Sequence, residues 1–181
     1  MMDQVLPYYA TSLRERILIE TFSRQQGDIQ INYYTSYSGT IKYDAVVTSG
    51  GSKSLVEAKV RQYKSNELPD HFLDIQKRDY LLEQAYKLGV SPEVWHFFED
   101  SKLYIWNLNE VEELERDGYT QTHTGFNSKE KHINKKVILR TEDARIYDIP
   151  KKDYNKMAVD ELNKRHPGFP FTYDHIIKKV K

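Results

Sequence analysis

The chain of 181 residues contains no cysteine. That excludes disulfides, a thiol nucleophile and any cysteine-built zinc site, and it suits a reducing cytoplasm. No apolar run approaches the ~18 residues of a membrane span, and the N-terminus lacks the apolar core of a signal peptide. Neither sign of charge is in excess, since 27 Lys and Arg balance 27 Asp and Glu. A generic polycation that coats nucleic acid is thereby disfavoured. The six histidines form no i, i+4 pair and have no acid at metal-ligand spacing, so a zinc finger or histidine-metal centre is unsupported. There is no Gly-rich loop ending in Lys-Ser/Thr and no Gly-x-Ser-x-Gly elbow. The balanced charge is nevertheless unevenly spread. Residues 129–181 hold fourteen Lys and Arg against eight Asp and Glu, a net of +6, which leaves −6 on residues 1–128. An acidic front with a basic back half is compatible with a phosphodiester substrate.

What the chain does contain is organised around residues 41–60, IKYDAVVTSGGSKSLVEAKV. Two runs rich in Ile, Val, Leu and Tyr flank Gly50-Gly51, a pair suited to the positive φ of a two-residue hairpin turn. With that turn Ser49 faces Ser52, Asp44 faces Glu57 and Lys42 faces Lys59. Opposed side chains share a face with Cβ atoms roughly 4.5–5.5 Å apart, and two like charges so placed repel by roughly 0.2–1 kcal/mol. A divalent cation between Asp44 and Glu57 would reverse the sign of that interaction. The other face, with Ile41, Tyr43, Ala45, Val47, Val56, Ala58 and Val60, is apolar and suited to a core.

Around the hairpin the pattern predicts a helix over residues 12–26, opened by a Ser12/Glu15 capping box and stopped at Gly27. A first strand follows over 29–37, and Ser36-Tyr37-Ser38-Gly39 turns the chain into the hairpin. After Val60 comes Arg61-Gln62-Tyr63-Lys64, two cations beside an aromatic. That suits binding of a nucleic-acid backbone, and a solvated loop has the same composition. A broad-faced helix is predicted over 68–88 and strands over 93–98 and 103–108. A short acidic helix over 110–116, a polar loop over 118–134 and a late strand over 135–140 complete the core. A helix over 152–165 and an aromatic, then basic, tail close the chain. The division expected is a core of residues 1–148, with 149–181 packed on the same domain.

Asp44, twelve intervening residues and then Glu57-Ala58-Lys59 resemble the D…(D/E)xK signature of the PD-(D/E)xK nucleases, the restriction-endonuclease-like superfamily. Tyr43 stands where the eponymous form has Pro. The element order adds to the resemblance, because it matches that superfamily's αβββαβ core: an α/β fold with a mixed central sheet flanked by helices, here with a C-terminal helical extension. The resemblance implies a metal-dependent DNA endonuclease, a hydrolase of phosphodiester bonds. Mg²⁺ or Mn²⁺ would be held by Asp44, Glu57 and the carbonyl of Ala58, with Lys59 beside the attacking water. It implies an auxiliary acid on the first helix, for which Glu15 and Glu20 compete, and a helical Gln or Lys, for which Gln76 and Lys77 stand. Gln76 is the catalytic candidate, whereas Lys77 joins Arg61 and Lys64 as candidate nucleic-acid contacts. The partner implied is DNA, with RNA the other option and a homodimer left open. A catalytically silent binding or interaction module on the same fold is the alternative.

Overall fold

A computed structural model of the protein describes residues 2–34, 43–112, 115–121, 131–168 and 172. The chain begins with helix α1 (Met2–Gln26), followed by strands β1 (Gln30–Tyr34), β2 (Ala45–Ser49), β3 (Ser52–Val60) and β4 (Asp70–Asp74). Helix α2 (Ile75–Leu88) leads to β5 (Ser91–Phe97) and β6 (Lys102–Asn107). Strands β7 (Glu115–Gln121), β8 (Lys131–Arg140) and β9 (Arg145–Asp148) precede helix α3 (Tyr154–Arg165).

Six strands make one mixed sheet in the order β1-β2-β3-β5-β6-β9, and β4-β8-β7 make a second, three-stranded sheet. Within the first sheet only β3 and β5 run parallel, a connection that needs a crossover, here supplied by α2. The α/β class and the mixed central sheet flanked by helices agree with the sequence expectation, and the large sheet follows the αβββαβ order, with β4 of the second sheet inserted between β3 and α2.

Each face of the large sheet buries a separate apolar cluster. On one face Ala45, Val47, Val56, Ala58, Trp95 and Phe97 meet Leu18, Ile19 and Phe22 of α1. On the other, Leu55, Val94, Tyr104 and Trp106 meet Leu81 and Ala85 of α2, Leu73 of β4 and Leu139 of β8. Helix α3 packs against α1 through a face that buries Ala158 and Leu162.

Several element boundaries differ from the expectation, each for a physical reason. Helix α1 extends upstream through Pro7 to Met2. Thr11 and Ser12 are therefore interior residues, and Ser12 is not the first residue of the helix as the capping box expected. Proline near a helix start removes a single backbone hydrogen bond, which a long helix tolerates. Residues 70–74, expected in the first turn of α2, form a strand because His71 and Leu73 alternate inward and pair with β8. In place of an acidic helix over 110–116 and a loop over 118–134, β7 runs from Glu115 and pairs with β8. A seven-residue helix nucleates poorly in water, and cross-strand pairing overrides it. The turn at Ser36–Gly39, Ile41, Lys42 and, apart from Thr172, the C-terminal tail beyond Gly168 lie outside the described residues. Among the described residues no helix is long and apolar enough to cross a membrane.

Candidate active site

The Gly50-Gly51 turn sets everything that follows. Both glycines have positive φ (54° and 82°), the pattern of a two-residue type I′ turn, and Ser49 pairs with Ser52 as the spacing predicts. That register runs regularly to Ala45↔Val56 and then breaks. The N–H of Asp44 donates to the Val56 carbonyl (2.8 Å), so two residues of one strand oppose one of the other. This is a bulge, and it re-aims the side chains beyond it. Tyr43 consequently joins the α2-side cluster, not the α1-side cluster of Ala45 and Val47. Asp44 does not continue the ladder opposite Glu57. Its carboxylate accepts a hydrogen bond from the Ala58 N–H (2.7 Å).

This N–H points to the β2 side of β3, past the end of the β2 ladder. Because the N–H and C=O of one strand residue share a side, the Ala58 carbonyl lies along the same stretch of β3. Among the described residues the β2–β3 ladder is thus interrupted where Asp44, Ala58 and the neighbouring side chains of β3 come together.

Glu57 and Lys59 are two apart on β3 and share a face. Glu57 is 1% exposed. Its Oε1 lies 2.7 Å from Lys59 Nζ and its Oε2 lies 2.9 Å from Lys77 Nζ on α2. The Lys59 contact is a close ion pair at the otherwise unpartnered Oε1. Lys59 also lies 3.8 Å from Glu15 Oε1. Glu15 is buried on α1, whereas Glu20 is half-exposed and pairs with Arg24 (3.1 Å). Of the two competing acids, only Glu15 reaches the cluster. Lys59 therefore has two carboxylate partners, Glu57 on its own strand and Glu15 on α1; its expected cross-strand neighbour Lys42 lies outside the described residues.

Three acids and two ammonium groups thus meet around the interruption, Glu15 from the α1 side and Lys77 from the α2 side. Burial pushes the Glu15 carboxyl up to about 8, with Asp44 and Glu57 adding to the shift and Lys59 and Arg14 opposing it. Burial and the Glu57 charge push Asp44 up to about 6, against Lys59, the Ala58 N–H and Lys77. For Lys59 burial acts downward, but the Glu57, Glu15 and Asp44 carboxylates outweigh it and hold the ammonium well above its ordinary range. The Lys59 side chain keeps 38% of its surface exposed, so it remains reachable from solvent.

The other predicted residues are dispersed. Gln76 is exposed on the first turn of α2, and its neighbour Lys77, expected at a nucleic-acid surface, reaches Glu57 instead. Lys64 is exposed in the β3–β4 loop. Arg61 turns inward, with Nη2 at 2.9 Å from His96 Nε2 and 3.3 Å from the Phe72 carbonyl. Sequence reading missed the juxtaposition of His96 with His71, whose ring centroids are 5.9 Å apart, because β4 was hidden inside a predicted helix.

Among the described residues no three Asp, Glu, His or Cys side chains converge closely enough to hold a metal ion by themselves. Asp44 accepts from the Ala58 N–H and feels the Glu57 charge, so the oxygens that could serve an ion are the Asp44 and Glu57 carboxylates and the Ala58 carbonyl. Such a set of hard oxygens suits Mg²⁺, which takes one or two carboxylates and keeps several waters.

No protein-family model matches the chain, and no curated protein matches it. Among solved structures it is similar to Archaeoglobus fulgidus Hjc, a Holliday junction resolvase from an archaeal hyperthermophile, with 13% identity and a TM-score of 0.43 over 70% of this chain and 87% of that one. So low a score leaves the chemistry of the site to be read from this chain's own residues.

Proposed function

We propose that the chain is a metal-dependent nuclease of the PD-(D/E)xK type, a hydrolase acting most naturally on DNA. The observation that carries this reading is the convergence of Glu15, Asp44, Glu57 and Lys59 at an interruption of the β2–β3 ladder. Three carboxylates crowded out of water repel one another, and a fold retains such a cluster at a cost unless a cation or a reaction uses it.

Asp44, Glu57 and the Ala58 carbonyl would hold Mg²⁺ or Mn²⁺. A divalent ion bound there supplies Lewis acidity and lowers the pKa of water at neutral pH. Lys59 keeps its proton throughout the physiological range, so its role is that of a charge and a donor toward a phosphate oxygen, not of a general base. Glu15, with a carboxyl poised near 8, is suited to accept or return a proton close to neutral pH. Lys77 shares Glu57 with Lys59, so a metal held by Glu57 would compete with these ammonium groups for its oxygens.

That same balance supports a second reading. Glu57 has a cation at each oxygen, so the cluster is partly neutralised without any metal, as a silent nucleic-acid-binding or interaction module would require. The two readings separate in one experiment. The full chain is incubated with duplex, single-stranded and branched DNA, and with RNA, with Mg²⁺ or Mn²⁺ and with chelator, beside Asp44→Ala. The nuclease reading expects metal-dependent cleavage that Asp44→Ala abolishes. Binding without cleavage of any substrate would overturn it in favour of the silent module. The homodimer left open by the sequence is tested by sedimentation of the same preparation.

A further inference from the structure

Helix α3 follows the last strand of the large sheet and packs chiefly against α1. That partner matters because α1 carries Glu15. The grip of α1 on the large sheet comes from Leu18, Ile19 and Phe22, and among the described residues of that cluster none from α1 precedes Glu15. Ala158 and Leu162 of α3 are buried as well, but apolar contact is non-directional and leaves a helix able to roll. A roll of about 20° carries a side-chain tip at a radius of about 5–6 Å through about 2 Å. Glu15 Oε1 lies 3.8 Å from Lys59 Nζ, so a displacement of that size would part them.

Arg14 supplies a directional attachment. Successive residues of a helix point about 100° apart, so while Glu15 reaches toward β3, Arg14 reaches toward α3. Arg14 is 6% exposed, and its Nη1 donates to Asn155 Oδ1 at 2.9 Å. The acceptor is itself held in place. Asp153 caps α3 by accepting the Lys156 N–H (2.9 Å), and the Tyr154 hydroxyl donates to the Pro150 carbonyl (2.5 Å). Asn155 therefore projects from a helical turn fixed by both contacts, a support that holds a neighbouring side chain to its geometry. Its oxygen belongs to a neutral amide, so it anchors the guanidinium without adding a charge that would cancel it. That charge reaches Glu15. Burial raises the Glu15 carboxyl most, Asp44 and Glu57 add to it, and Lys59 and Arg14 oppose them.

We propose that Asn155 is a positioning residue: by holding Arg14 from the first turn of α3, it sets the rotation of α1 at which Glu15 stands against Lys59. The use of Glu15 in cleavage rests on the nuclease reading; its placement by Asn155 does not. Helix α3 is then part of the site's support although no residue of it enters the carboxylate–lysine cluster.

Carbon-detected titration of the full chain in chelator reads the Glu15 carboxyl directly, with Glu15→Gln identifying its signal. An opposite charge close by favours the ionised form, so Lys59→Met should raise the Glu15 midpoint. Asn155→Leu should cut that rise to less than about half, the loss of coupling expected when two groups move apart. Arg14 and Asn155 both line a cavity of about 460 Å³, so the leucine has room and the variant should fold. Arg14→Met breaks the same bond from the α1 side and should give the same loss. Asn155→Asp keeps an acceptor for Arg14 and should retain the full rise. A rise undiminished in both Asn155→Leu and Arg14→Met would overturn the positioning even if both melt earlier, because a merely structural bond lowers stability without moving it. In a protein that cleaves, Asn155→Leu should lower kcat about tenfold or more, with KM within about twofold. Loss of the Lys59 effect with wild-type kcat would overturn the use of Glu15 in cleavage. The same loss in a protein that cleaves no nucleic acid would support the positioning and overturn the nuclease reading instead.

Discussion

Lys59 touches two acids that would be left behind if it were removed, and this fixes what its loss should do. With the ammonium gone, Glu57 keeps Lys77 while Glu15 loses its nearest cation. Lys59→Ala should lower stability by roughly 1–3 kcal/mol at neutral pH, reduced by the solvent that reaches the lysine. Turnover should fall by about 10²-fold or more. Melts and single-turnover cleavage on one preparation check both, and wild-type turnover would remove Lys59 from the mechanism. Glu15 gives the clearest pH signature. Its folded carboxyl sits near 8 against an ordinary 4.5, and Asp44 near 6 against 3.8. The folded state thus holds protons more tightly than the unfolded one. This contribution is complete below about pH 4 and is lost as pH rises through 8. In chelator the melting temperature should fall from pH 5 to 8, and Glu15→Gln should flatten that slope while Glu20→Gln leaves it unchanged. His71 behaves oppositely. It is 0% exposed with both ring nitrogens unbonded among the described residues. Burial, helped by Arg61, pulls it down to about 4, so its share of stability is full above pH 6.5 and lost toward pH 4. Denaturant melts of His71→Phe should show a gain of about 1–2 kcal/mol at pH 7 and a shallower acid limb. The Glu57/Lys59 pair was legible because a strand fixes side-chain direction every second residue. The choice of Glu15 over Glu20 was not, because it depends on how α1 crosses the sheet.

At the scale of elements, the Gly50-Gly51 hairpin could be read to the residue as far as Ala45, since turn type dictates register. The bulge at Asp44 could not, because nothing local distinguishes it from one more ladder pair. The start of α2 was displaced for a similar reason. Residues 70–74 carry Phe72 and Leu73 at a spacing that continues a helical face into Ile75, and only pairing with β8 makes them a strand. That shift obscured which residue of α2 looks back at β3. With the helix beginning at Ile75, Lys77 reaches Glu57 while Gln76 is exposed. Gln76→Ala should therefore change cleavage by less than about threefold, whereas Lys77→Met should tighten metal binding by freeing Glu57 Oε2 and alter turnover with it. Calorimetry with Mn²⁺ and cleavage rates for the two variants test the pair, and a Gln76 effect exceeding that of Lys77 would reverse the assignment. Strands β7 and β9 escaped notice because a short polar strand is specified by its neighbours more than by its own residues.

Over the whole molecule, the two sheets are tied through the shared α2-side cluster and by the Trp106 indole N–H, which donates to the Arg140 carbonyl (2.7 Å). The hairpin stands apart from this long-range architecture in one respect, the time at which it can form. A two-residue turn closes in microseconds, while the parallel β3–β5 pair must wait for the whole intervening segment, β4 and α2, to be ordered. Asp44 and Glu57 are therefore brought together before Lys77 on α2, or Glu15 on α1, has docked. The nascent hairpin carries its two carboxylates without Lys77 to relieve them, so early folding bears a repulsion that the finished protein shares among five residues. Protonation of either acid should relieve it. Acids still open to water keep the ordinary carboxyl range of about 4, so stopped-flow refolding in chelator should be faster near pH 4 than at pH 8, and Asp44→Asn should remove most of the difference. Equal acceleration in wild type and variant would place the rate-limiting event elsewhere in the chain.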